Sequence, residues 1–86
     1  MAELIREYVG ALRTTDEGTY RVRTYGEGQP DGTWVGWLEF LPDRAGLPTL
    51  VTDRETSQAS REALASWAEG LESTYFEGAF ERATRQ

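Results

Sequence analysis

The sequence of 86 residues contains no cysteine and no histidine. These absences exclude disulfide bonds, thiolate nucleophiles and the usual ligands of zinc. The chain also lacks the side chain that most often serves as a general base near neutral pH. We therefore expect that the protein is not an enzyme, and that it has no catalytic residue, no metal site and no cofactor.

Lysine is missing as well, since the nine basic residues are all arginine, against 15 acidic residues and a net charge of -6. A nucleotide bias of the genome is the simplest explanation for arginine replacing lysine. The arginines are scattered along the chain rather than clustered, and an acidic chain repels the phosphates of nucleic acids. We expect no nucleic-acid partner.

Long apolar runs are also missing, because no stretch approaches the ~20 residues that span a bilayer. The first eight residues carry charges where a signal peptide has its apolar core. A cytoplasmic location and no membrane partner are expected. Hydrophobic residues make up 38% of the chain, with ten aromatics, which is enough for a core in one domain over residues 1–86.

The spacing of apolar residues predicts an α+β fold of the order α-β-β-β-α. Helical spacing over residues 2–13 predicts a short N-terminal amphipathic helix. Alternating patterns predict strands over residues 19–26 and 33–41, and a short third strand over 48–53. We expect a three-stranded antiparallel meander with a long C-terminal helix packed on one face.

The C-terminal pattern, residues 56–85, is the longest helical signal in the chain, and Thr56, Ser57 or Ser60 could cap it. A continuous helix over residues 57–84 would be about 42 Å long, whereas a nine-residue strand spans about 30 Å. We expect one continuous or kinked helix whose last turns extend beyond the sheet. In the alternative, Gly70 ends one helix and Thr74 caps a second.

Apolar side chains on this extension predict contact with another protein. Aromatic anchors on an otherwise hydrophilic acidic surface are typical of an interface. The sequence therefore predicts a non-enzymatic protein-interaction module that forms a homo-oligomer. Its expected interface residues are Trp37, Tyr75, Phe76 and Phe80.

An alternative function is that of an acidic regulator, similar to an antitoxin or inhibitor, that binds a basic protein partner. Its candidate residues are the acidic side chains of the C-terminal pattern: Glu62, Glu69, Glu72, Glu77 and Glu81. Such residues also occur on helices for solubility alone. Strong salt dependence of binding would separate this alternative from an apolar interface.

The strand residues offer two further hypotheses. Glu39 has apolar neighbours and is expected to pair with Arg21 or Arg23 on the adjoining strand, or to take part in an interface. The same arginines are expected to share a face with Tyr25 and Trp37, as in proteins that bind single-stranded nucleic acid. The acidic charge balance favours packing or protein contact for this face.

Two resemblances involve most of the chain. The predicted element order resembles that of the double-stranded RNA-binding domain. The lysine-rich start of that family's second helix corresponds here to SQASRE at 57–62, which has one cation and one anion.

A small uncharacterised bacterial protein family resembles the chain in four segments: GTWVGWLEF at 32–40, RET at 54–56, WAEGLE at 67–72 and YFEGA at 75–79. Since that family has no known function, the resemblance implies none.

Overall fold

The computed structural model describes residues 1–10, 12–14 and 18–85 of the chain, and within them a β-rich N-terminal part precedes two C-terminal helices. In chain order the elements are β1 (Glu3–Glu7), β2 (Leu12–Thr14), β3 (Gly18–Gly28), β4 (Trp34–Pro42), β5 (Leu50–Val51), β6 (Thr56–Gln58), α1 (Arg61–Glu69), α2 (Ser73–Arg82) and β7 (Thr84–Arg85).

The strands form one antiparallel sheet in the order β1-β3-β4-β5-β7. β2 pairs with the first part of β3, and β6 pairs with the first part of β4. The hairpin of β3 and β4 forms the centre, with a register that runs from Tyr20 opposite Pro42 to Gly28 opposite Trp34. These two strands contain the residues whose alternation predicted them.

The predicted N-terminal helix over residues 2–13 is wrong. Residues 3–7 and 12–14 are strands that pair with β3, and Ala11 lies outside the described residues. A helix of about 12 residues is marginal in isolation, whereas the edge of the long strand β3 offers backbone partners along its whole length. A bulge between Leu4 and Arg6 shifts the register by one residue, which explains how a strand can imitate helical spacing.

The expectation of a continuous or kinked C-terminal helix is also wrong, because α1 and α2 are separate. The Oγ of Ser60 accepts a hydrogen bond from Ala63 N and caps α1. Gly70 ends α1 in a right-handed conformation, with φ -85°, so the break does not depend on a positive φ. Glu72 stands at the N-cap of α2 without a side-chain cap bond, so Thr74 is not the cap either.

The break after Gly70 lets the apolar face of α2 pack onto the sheet. Phe80 packs against Tyr20 and Phe40, with ring centroids 5.0 and 5.3 Å apart. Ala79 joins the same buried cluster. The fold therefore consists of a sheet followed by two helices rather than α-β-β-β-α, and the shape likeness to the double-stranded RNA-binding domain is lost with the N-terminal helix.

A pair of glycines fixes how closely α1 approaches the sheet. Gly26 and Gly36 lie directly opposite each other on β3 and β4. A Cβ atom would lie 2.4 Å from a Leu64 methyl group at Gly26 and 2.6 Å from the other at Gly36. The Leu64 side chain is fully buried, which stabilises the fold by about 1.5–3 kcal/mol.

In the described ranges, neither helix has the length and apolar character that crossing a membrane would require.

Candidate interaction surface

Both helices pack on the same face of the sheet, and the opposite face carries the second set of alternating side chains. Leu64 of α1 and Phe80 of α2 lie on the helix face. Within the described part of the chain, no helix covers the opposite face, which we call the open face. Antiparallel pairing gives it Arg21, Arg23, Tyr25 and Glu27 from β3 and Val35, Trp37, Glu39 and Leu41 from β4.

An apolar row crosses three strands of the open face. Leu4 on β1 lies opposite Tyr25, and Tyr25 lies opposite Trp37. The rings of Tyr25 and Trp37 are nearly parallel, at 17°, with centroids 6.5 Å apart. Leu4 is 44% exposed, and both rings are half-buried. The row therefore presents aromatic and aliphatic surface that the helices do not cover.

The neighbouring row is charged. Glu7, Arg23 and Glu39 lie opposite one another on β1, β3 and β4. Arg23 Nε donates to Glu7 Oε1 at 2.8 Å, and its NH1 group donates to the Tyr25 hydroxyl at 3.3 Å. These bonds, the one to Tyr25 first, raise the pKa of Arg23.

The expected ion pair between Glu39 and an arginine of β3 is not formed. Arg23 lies directly opposite Glu39, but its salt bridge goes to Glu7. Arg21 lies 4.0 Å from Asp43. Glu39 accepts only a 3.3 Å bond from Trp37 Nε1 among the described residues. This half-buried carboxylate thus has no cationic partner within the described ranges.

Of the four predicted interface residues, only Trp37 lies on the open face. Phe76 packs against Tyr8, with centroids 4.6 Å apart, and Phe80 packs in the core. The rings of Tyr75 and Trp67 are perpendicular, with centroids 5.9 Å apart. Each of these three aromatics of α2 has a partner inside the chain, and their role in an interface stays a prediction.

Tyr75 belongs to a polar cluster that the sequence did not predict. Its hydroxyl and the NH2 group of Arg82 both donate to Glu55 Oε1, each at 2.5 Å. The Glu55 side chain is only 9% exposed. Burial, followed by the bond to Glu55 and the charge of that carboxylate, raises the pKa of Tyr75 to about 12. Tyr75 and Arg82 are seven residues apart, a spacing that puts both on one face of a helix.

The Glu55 cluster is structural in character. It joins α2 to the connection between β5 and β6, because Tyr75 and Arg82 of α2 both donate to Oε1 of Glu55. The sequence contained one usable signal, the spacing of Tyr75 and Arg82. It could not be connected to Glu55 while the C-terminal pattern was expected to be one helix.

A cleft of about 460 Å³ lies at one end of the open face. Val35 and Ser57, which are cross-strand neighbours, form part of its lining. Its other lining residues are Gln29, Pro30, Asp31, Thr33 and Arg54. Hydrogen bonds from the Thr33 hydroxyl and backbone N–H lower the pKa of Asp31. Arg54 forms no salt bridge with the residues that the structure describes.

The cleft does not combine groups for metal binding. Within residues 1–10, 12–14 and 18–85, no three potential metal-ligating side chains come together. Comparison of the chain with models of protein families, with curated proteins and with solved structures finds no match. The resemblance to a small bacterial family therefore stays a prediction.

Proposed function

We propose that the protein is a non-enzymatic interaction module that self-associates through its open face. The row of Leu4, Tyr25 and Trp37 is the observation that carries this proposal. Large aromatic side chains surrounded by polar groups are the usual anchors of protein interfaces. Trp37 is the central anchor, because Phe76 and Phe80 already contribute to packing under α2.

The dimensions of the molecule are compatible with this contact. The Cα trace extends 41 × 23 × 18 Å. The broadest face of such a body covers about 900 Å², and each partner in a standard interface buries about 800 Å². An interface of standard size would therefore extend over most of one face rather than over a single short helix.

Association through the β1 edge of the sheet is less favourable than association through the face. β1 is the outer strand on one side, and it contains the bulge between Leu4 and Arg6. Bulges and charged side chains on an edge strand interfere with regular pairing to a second strand. Glu3, Arg6 and Glu7 supply such charges in β1.

The test compares the mass of the wild type and of a Trp37→Glu variant by sedimentation and light scattering from micromolar to millimolar concentration. We expect a dimer for the wild type and a monomer with an unchanged circular dichroism spectrum for the variant. Val9→Ser is the matched control, because Val9 is fully exposed but belongs to none of the three strands of the apolar row. A monomeric wild type at millimolar concentration would contradict the proposal.

A second candidate function is binding of a basic protein partner by the helices. The observation that favours it is a set of exposed carboxylates without a salt bridge in the described chain: Glu62, Glu69, Glu72, Glu77 and Glu81. Association of this kind would weaken strongly with added salt. Dimerisation through the apolar row would be much less sensitive to salt.

A further inference from the structure

We infer that the open face binds a second copy of the chain about a two-fold axis that runs between β3 and β4, parallel to the strands. In this arrangement Arg23 of each copy pairs with Glu39 of the other. The inference rests on the proposed self-association and specifies its geometry.

The register of the central hairpin supplies the first argument. Arg23 lies opposite Glu39, and Tyr25 lies opposite Trp37. A two-fold rotation about the line between these strands exchanges the two members of every cross-strand pair. Arg23 of each copy then faces Glu39 of the other, and Tyr25 faces Trp37. The two central cross-strand pairs of the open face are therefore complementary to themselves in charge and in aromatic contact, as an isologous interface requires.

The hydrogen-bonding capacity of the two charged residues supplies the second argument. Glu39 is half-buried and receives one bond, of 3.3 Å, from Trp37 Nε1. A carboxylate has room for several donors. Arg23 uses Nε for Glu7 and NH1 for Tyr25, which leaves guanidinium N–H groups available. A second copy would provide Glu39 with the cation that its own chain gives to Glu7.

Other positions of the axis are less favourable. An axis along β3 would place Glu7 over Glu39 of the second copy, and an axis along β4 would place Arg23 over Val51. The first opposes like charges, and the second does so as well, because an axis along β4 places Glu39 opposite the Glu39 of the second copy. An axis between β1 and β3 would pair charges but lies near the sheet edge, so less of the face would be covered. Packed sheets cross at about 30°, and pairs close to the axis remain in contact at that angle.

The experiment uses charge reversal, with Arg23→Glu and Glu39→Arg in the full chain. Each variant alone opposes like charges twice across the axis, and we expect both to be monomeric at concentrations where the wild type is a dimer. An equimolar mixture restores both opposite-charge contacts, so the mixture is expected to form a heterodimer by sedimentation. Glu77→Arg is the control for the change in net charge, since Glu77 lies exposed on α2, and it should dimerise as the wild type does.

A milder variant keeps the inference testable if the charge-reversal variants misfold. Glu39→Gln keeps the shape of the side chain and is expected to raise the dissociation constant of the dimer by at least about 10-fold, since two contacts lose their charge. A monomeric wild type would contradict the proposed function and this inference together. A different result would overturn only the two-fold geometry. In that case the wild type is a dimer that Trp37→Glu dissociates, but the mixture of folded Arg23→Glu and Glu39→Arg stays monomeric. Unchanged affinity in Glu39→Gln would overturn it as well.

Discussion

At Glu55, one carboxylate oxygen accepts hydrogen bonds from both Tyr75 and Arg82 of α2. The carboxylate is almost enclosed, whereas the Arg82 side chain is about half exposed. Solvent screening weakens the ion pair between Arg82 and Glu55. The hydrogen bond from the Tyr75 hydroxyl is therefore the more important one for stability. This cluster gives α2 its polar attachment to the sheet.

We predict that the stabilising effect of Tyr75 disappears at alkaline pH. The pKa of Tyr75 is raised from 10.0 to about 12, so its neutral hydroxyl contributes fully below about pH 10 and the contribution is lost as the pH rises to about 12. Tyr75→Phe should reduce the free energy of unfolding by about 1 kcal/mol at neutral pH. Urea unfolding at a series of pH values should show the two proteins converging in that window. A constant difference would contradict the prediction.

For Glu39, the sequence predicts the neighbouring strand but not the ion-pair partner. Of the two candidates on that strand, Arg21 and Arg23, it is Arg23 that lies opposite Glu39. The salt bridge of Arg23 goes to Glu7 because β1 is present as a strand. Cross-strand position follows from alternation within the hairpin, whereas the choice of partner depends on an element that the local pattern did not reveal.

The sequence predicts the elements that follow from a local pattern of side chains. It does not predict the elements whose conformation depends on packing against the rest of the fold. The period-2 alternation of β3 and β4 predicted both strands and the division of β4 into two faces. The N-terminal residues form strands because β3 offers them a free edge. Gly70 marked a possible end of α1. Whether the helix breaks there depends on the packing of α2 against Tyr20 and Phe40, and this packing exists only once the sheet has formed.

The docking of α1 is testable through the glycine pair beneath it. Gly36→Ala would place a methyl group 2.6 Å from Leu64 Cδ1 and is expected to cost about 1–3 kcal/mol by overpacking. Leu64→Ala should cost about 2–5 kcal/mol by leaving a cavity. In the double variant the new methyl group occupies space that Leu64 has vacated.

The combined loss in Gly36→Ala with Leu64→Ala is therefore expected to be smaller than the sum of the single losses by about 0.5–3 kcal/mol. Chemical denaturation of the four proteins measures this coupling. Additive losses would show that α1 does not approach the sheet at Gly36 as described. Gly70→Ala serves as a control, because a Cβ there has no neighbour closer than 3.7 Å.

For the molecule as a whole, charge repulsion is expected to limit stability. The net charge is -6, and the salt bridges among the described residues mostly involve exposed side chains. Such pairs contribute little, while the excess of carboxylates repels itself. Sodium chloride should therefore raise the free energy of unfolding of the monomer by up to about 1 kcal/mol.

Urea unfolding at low micromolar concentration, followed by tryptophan fluorescence, measures this salt effect. Glu77→Gln removes one unpaired charge from α2 and should reduce the response to salt. A protein that loses stability as salt is added would show that its ion pairs outweigh the repulsion.

The position of the central hairpin has a consequence for the order of folding. Strands β3 and β4 are adjacent both in the chain and in the sheet, and only residues 29–33 separate them. Closing so short a loop costs little chain entropy, so this pairing can nucleate early. We expect the outer strands and the helices to pack onto a template whose register is already set.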